Sequence, residues 1–212
     1  LWSSVGAGAG FVDFYKYQKQ TNKLPTHQHH LLHIYDAVDF ALNADNVPVI
    51  TYGGENDPQL LASELCVAAA KNFSVDIKQL IGPGMGHKFD PDSLREFMEF
   101  HREHSQAGRT PPPGNPEFRF ITYTLKYNRC EWMTIEEMQH VYRPAVVVSQ
   151  QVGDDALKVT TSNVTALTAD PRIADSLVID GTPIVLDVPP GDDPPPVTLV
   201  KEGKRWKKLT AD

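Results

Sequence analysis

Cysteine is scarce in this chain of 212 residues, with only Cys66 and Cys130 present. Two thiols allow at most one bridge, so a disulfide framework is excluded and the redox compartment stays open. Long apolar runs are missing too. No stretch approaches the roughly 18 apolar residues of a membrane-spanning helix, so no such helix is expected. Positive charge is in deficit, with 20 Lys and Arg against 27 Asp and Glu, a net charge of −7. That balance argues against a nucleic-acid partner held by counterion release. The deficit is shared, since 9 basic and 13 acidic residues precede Pro111 and 11 and 14 follow from there. The opening Leu1-Trp2-Ser3-Ser4 has neither an initiator Met nor a basic segment ahead of an apolar stretch. No signal peptide is visible. The expectation is a piece of a longer protein, with any targeting signal and the N-terminal half of the same protein upstream of residue 1.

What the chain has in plenty is proline, 17 in all. Nine fall in two clusters, Pro111-Pro112-Pro113 with Pro116, and Pro189-Pro190 with Pro194-Pro195-Pro196. The first cluster is stiff, extended and poor in donors, as linkers are. It divides the chain into residues 1–109, a linker at 110–116, and residues 117–212.

Helical and strand patterns alternate in the first part. Residues 47–52 form a short apolar run that ends in Gly53-Gly54, as a buried strand would. Pro58 opens a helix pattern that carries Leu61, Leu65, Ala68 and Ala69 and runs to Phe73. A second strand is expected at 76–81, stopped by Gly82-Pro83-Gly84. Asp90-Pro91 begins another helix, with Leu94, Phe97, Met98 and His101 on one side. Upstream, Leu31, Ile34, Tyr35, Val38 and Leu42 stripe a helix whose other face carries His29, His33 and Asp36. Such alternation predicts an α/β class, a parallel sheet covered by flanking helices. The second part reads as many short strands rich in β-formers, among them residues 145–148, 157–161 and 164–168. Asp180-Gly181 and Glu202-Gly203 mark two hairpins, and a small all-β, sandwich-like domain is expected.

Two loops attract chemistry. Gly53-Gly54-Glu55-Asn56-Asp57 follows the first strand, and Gly82-Pro83-Gly84-Met85-Gly86-His87 follows the second. Reactive groups collect beyond the C-terminal ends of parallel strands. Asp57 and His87 can therefore meet if their strands are neighbours. A carboxylate on Nδ1–H would set the tautomer and leave Nε2 as a general base. The plainer readings are an N-cap for Asp57, which directly precedes Pro58, and a surface imidazole for His87. A serine nucleophile on a strand-to-helix elbow wants Gly-x-Ser-x-Gly, and the sequence contains none.

These loops carry a resemblance. Ser4-Val5-Gly6-Ala7-Gly8-Ala9-Gly10-Phe11, Pro48-Val49-Ile50-Thr51-Tyr52 with Gly53–Asp57, and Ile81-Gly82-Pro83-Gly84-Met85-Gly86-His87 resemble the C-terminal half of an α/β-hydrolase of the prolyl-oligopeptidase-like serine peptidase family. The resemblance covers about half the chain. The tail with Phe120-Ile121-Thr122-Tyr123-Thr124-Leu125-Lys126-Tyr127-Asn128-Arg129 is similar to an accessory domain appended to some bacterial members. It implies the C-terminal half of an α/β-hydrolase parallel sheet and a peptidase or esterase. Asp57 and His87 would be the triad acid and base, the serine would lie upstream of residue 1, and the location would be secreted or periplasmic. Neither cofactor nor metal is implied. The alternative is a non-catalytic binding or structural protein on a hydrolase-derived scaffold, with the β-rich domain as its recognition surface.

Other candidates have plain readings. His27, His29, His30 and His33 cluster, and His29, His33 and Asp36 would offer metal ligands from one helix face. A solvated polar face is the simpler account, since no His-Glu-x-x-His is present. Asn163-Val164-Thr165 matches a glycosylation sequon, and Trp132, Tyr142 and Trp206 offer either a sugar-stacking surface or ordinary packing. Lys201, Lys204, Arg205, Lys207 and Lys208 form a basic end suited to a solubilising edge strand.

Overall fold

The computed structural model describes residues 2–8, 10–187 and 194–209. Pro189-Pro190 of the second proline cluster and Ala9 of the small-residue segment lie outside the described residues. The chain divides into two compact units, Leu1–Arg109 and Thr110–Asp212.

The first unit is built on a three-stranded parallel sheet ordered β1 (Val5–Ala7), β2 (Val49–Gly54), β3 (Lys78–Gly82). Strand β2 is central and almost wholly buried, which suits its apolar residues and its closing glycines. Two longer helices follow the strands. Helix α3 (Leu60–Lys71) succeeds β2, and α4 (Pro91–Ala107) succeeds β3. Asp90 caps α4, its Oδ1 accepting from the Asp92 and Ser93 amides at 3.1 and 2.9 Å, with Pro91 at the first helical position. Ahead of β2 lie the short helices α1 (Phe14–Tyr17) and α2 (Thr26–Leu32) and a 3₁₀ segment, Ala37–Asn46.

The striped helix expected across residues 31–42 is not continuous. Its break falls at Asp36, whose backbone is extended and whose buried carboxylate accepts the Phe14 amide at 3.0 Å. A polar contact from a distant segment therefore overrides the helical period.

The second unit holds two five-stranded sheets. One is ordered β11 (Thr182–Val185), β10 (Ser176–Ile179), β8 (Ala156–Ser162), β7 (Ala145–Gln151), β4 (Phe118–Thr122). The other is ordered β13 (Arg205–Lys208), β12 (Val197–Glu202), β9 (Val164–Ala169), β6 (Met133–Met138), β5 (Arg129–Cys130). Among the described residues all pairings in this unit are antiparallel except β8 with β10. Alternate residues of both sheets enter one buried cluster, among them Phe118, Val147, Leu157 and Ile179 from the first and Ile135, Leu167, Leu199 and Trp206 from the second. At Asp180-Gly181 both φ angles are positive, 47° and 81°, as a two-residue I′ loop requires. The segment at 110–116 is tied to this unit: Pro116 carbonyl accepts from Ser149 Oγ at 2.6 Å, and Glu131 accepts the Asn115 amide at 3.0 Å.

The α/β class is therefore overturned. Among the described residues thirteen strands in three sheets stand against four α-helices, and only the three-stranded sheet is parallel throughout. The chain is β-rich and is not the C-terminal half of an α/β-hydrolase. The reason lies in where the strands are. Ten of these thirteen belong to the second unit, while the helical stripe at 31–42 gives way to the end of α2, a turn and the 3₁₀ segment.

Candidate functional site

Strands β2 and β3 run parallel in register, with Gly54 opposite Gly82, so the loops that follow leave the sheet side by side. The loops are stitched together directly. The Glu55 amide donates to the Gly82 carbonyl at 2.9 Å and the Asn56 amide to the Met85 carbonyl at 2.8 Å. Glu55 Oε2 accepts the Gly84 amide at 2.6 Å. Gly54 is needed for this approach, since a Cβ there would stand 2.2 Å from the Gly86 carbonyl oxygen and 2.5 Å from that of Met85. Below, the Tyr52 hydroxyl donates to the Lys88 carbonyl at 2.9 Å, and the Tyr52 and Phe89 rings stack with centroids 3.9 Å apart.

This scaffold brings Asp57 and His87 together. His87 Nδ1 lies 2.9 Å from Asp57 Oδ2. The Asp57 side chain is 5% exposed and that of His87 is 70% exposed. Asp57 Oδ1 separately accepts the Gln59 amide at 2.9 Å, in the turn leading into α3. The two oxygens thus serve the helix entry and the imidazole at once. The Gln59 amide holds the Asp57 carboxyl below the usual carboxylate range; burial opposes it and the His87 hydrogen bond supports it. An ionised carboxylate only accepts, so Nδ1 carries the proton and Nε2 is the basic nitrogen.

Two cavities meet this pair, both within the first unit. The larger, of about 560 Å³, is lined by Val12, Lys16, Tyr17, Leu61 and Leu65 among others, with Asp57 and His87 at its edge. The smaller, of about 210 Å³, is lined by Gly8, Tyr52, Lys88 and Phe89 with the same pair. Among the described residues no Ser, Thr or Cys lines either one. One serine does contact an imidazole, Ser4 Oγ at 2.8 Å from His101 Nδ1. It precedes β1, however, and Val5 pairs with Val49 at the start of β2, so Ser4 sits at the opposite end of the sheet from Asp57 and His87.

Several of the remaining candidates find structural partners. His33 Nδ1 pairs with Asp39 Oδ2 at 2.6 Å, while Asp36 turns inward to Phe14. Among the described residues no three His, Cys, Asp or Glu side chains are grouped to hold a metal ion. Burial pushes the Asp36 carboxyl up to about 6, against the Phe14 hydrogen bond; Asp39 and Asp13 add to the rise. Asn163 has φ of 59°, and its side chain bonds the backbone of His140 and Arg143, which makes it a turn residue. Trp132 and Trp206 are buried, 4% and 3% exposed, so they present no sugar platform. In the basic end, Lys201 pairs with Asp180, Lys207 with Glu202 and Lys208 with Asp187. Cys66 and Cys130 are not joined in a disulfide. Among the described residues no helix is long and apolar enough to cross a membrane.

Nothing along the chain marks Glu55 or Tyr52, or Leu61 and Leu65 of the larger cavity, as belonging to a site; only the facing loop reveals the Glu55 carboxylate as a latch. No known family model, curated protein or solved structure matches the chain.

Proposed function

We propose that this protein supplies the acid–base half of a serine-type hydrolase acting on peptide or ester bonds, with Asp57 and His87 in the acid and base roles. The observation that supports this reading is the contact between His87 Nδ1 and Asp57 Oδ2, in an imidazole that is largely exposed and lines both cavities. The attacking hydroxyl is a serine from polypeptide outside residues 1–212. As its oxygen bonds to the substrate carbonyl carbon, His87 Nε2 takes the hydroxyl proton and later returns it to the departing amine or alkoxide. Asp57 stays ionised, holds the imidazole in the needed tautomer and stabilises the imidazolium. Water then repeats the sequence on the acyl-enzyme.

The test is fluorophosphonate labelling and ester hydrolysis by the full-length protein. One labelled serine is expected, and His87→Ala should lower kcat/KM by about 10²–10⁴, the usual contribution of general-base help. No adduct and no hydrolysis by a folded sample would leave the non-catalytic binding protein as the better account.

A further inference from the structure

The larger cavity beside Asp57 and His87 has a composition of its own. At about 560 Å³ it falls within the range of pockets that enclose small organic ligands. Val12, Leu61, Ala62 and Leu65 give it apolar walls, and Tyr17, 47% exposed, adds a ring. The ionisable groups around it are not equivalent. Asp57 is engaged by the Gln59 amide and His87, and Asp13 Oδ1 by the Lys16 amide at 2.9 Å. Lys16 and Lys19 also line the cavity and are exposed. Among the described residues neither ammonium has a carboxylate within ion-pair distance. The cavity therefore joins an apolar interior to two cations free to meet a ligand, while its carboxylates are already occupied by donors.

We infer that this cavity selects an amphiphilic anion: a substrate segment with an apolar body that lies against Leu61 and Leu65 and a terminal carboxylate or similar anion read by Lys16 and Lys19. Burial of the apolar body supplies most of the attraction. The ammonium groups supply discrimination, which ionic strength weakens. The inference rests on the hydrolase reading for its biological meaning, but the binding preference stands or falls separately.

Binding to the 212-residue chain is measured by amide chemical-shift titration with 4-phenylbutyrate, 4-phenylbutanol and 4-phenylbutylamine, which share one apolar body. The carboxylate should bind about tenfold more tightly than the alcohol, as two exposed ion pairs allow, and the amine most weakly. Shifts should centre on Leu61, Leu65 and His87. The Lys16→Gln/Lys19→Gln double variant should bring the carboxylate down to the alcohol's affinity, and Lys16→Arg/Lys19→Arg should retain the preference. Equal binding of the three probes, or no binding, overturns the inference. In parallel, the full-length protein is assayed on 4-nitrophenyl hexanoate and the 4-nitrophenyl half-ester of adipic acid. Turnover of neither ester counts against the hydrolase reading alone, whereas equal turnover of both counts against anion selection alone.

Discussion

Asp57 and Asp36 are carboxyls of the same unit that move in opposite directions. Asp57 is lowered, first by the Gln59 amide, so its contribution to stability is present above the ordinary carboxylate value and is lost as pH falls through the folded value. Asp36 is raised to about 6 by burial, so the folded state holds its proton more tightly than the unfolded state. Its effect has the opposite sign: the first unit loses stability as pH rises from about 4 toward about 6. Asp36→Asn keeps an acceptor for the Phe14 amide and removes the titration. Denaturant melts of this variant should show a smaller loss of stability between pH 4.5 and 7 than the parent protein. Asp57→Asn should leave the turn into α3 intact through Oδ1 but present an amide to Nδ1. The imidazole then takes the wrong tautomer, and hydrolysis by the full-length protein should fall by about 10²–10⁴ with little change in KM.

The two loops beyond β2 and β3 act as one element because their backbones touch. Gly54→Ala would drive a Cβ into the Gly86 and Met85 carbonyls, atoms that cannot rotate away. Such overpacking typically costs about 1–3 kcal/mol. Chemical denaturation should report that loss, and the His87 ring signals should move although neither Asp57 nor His87 has changed. Glu55→Ala removes the latch to Gly84 and should speed exchange of the Gly84 amide, with Glu55→Gln restoring part of the protection. In the second unit the hairpin turn between β10 and β11 is also a junction. Asp180 accepts from Thr161 N and Oγ1 at 2.8 and 2.7 Å, Lys201 Nζ at 2.8 Å and Trp206 Nε1 at 3.0 Å. Burial pushes its carboxyl up, but Lys201, Trp206 and Thr161 outweigh this and leave it low. Asp180→Ala strands the Trp206 donor and should destabilise this unit by about 1–3 kcal/mol in urea melts.

Across the whole molecule the apolar core is unevenly shared. Among the described residues, seven buried hydrophobic residues lie in the first unit and twenty-one in the second, although the units are of similar length. Helix α4 has no buried residue, and the first unit leaves Trp2, Tyr35 and Met98 80%, 68% and 58% exposed. Burial of apolar surface is the main favourable term in folding, so the second unit should be the more robust. Residues 110–212 expressed alone should melt cooperatively. Residues 1–109 alone should be partly unfolded or associate, as exposed apolar surface promotes. Light scattering and thermal melts of the two fragments check this.

Local chemistry was legible in the sequence. Alternating β-formers marked the strands at 145–148, 157–161 and 164–168, Asp180-Gly181 marked its turn, and Asp90-Pro91 marked the start of α4, because each signal needs only neighbours along the chain. The glycine-rich loops singled out Asp57 and His87 for the same reason. Tertiary structure alone decided the rest. It broke the helix at Asp36 through a contact 22 residues away, and it paired the ten strands of the second unit into two sheets around one core. It also gathered Lys16, Leu61 and His87 around a single cavity. Those outcomes depend on which distant segments meet, and spacing along a chain carries no record of that.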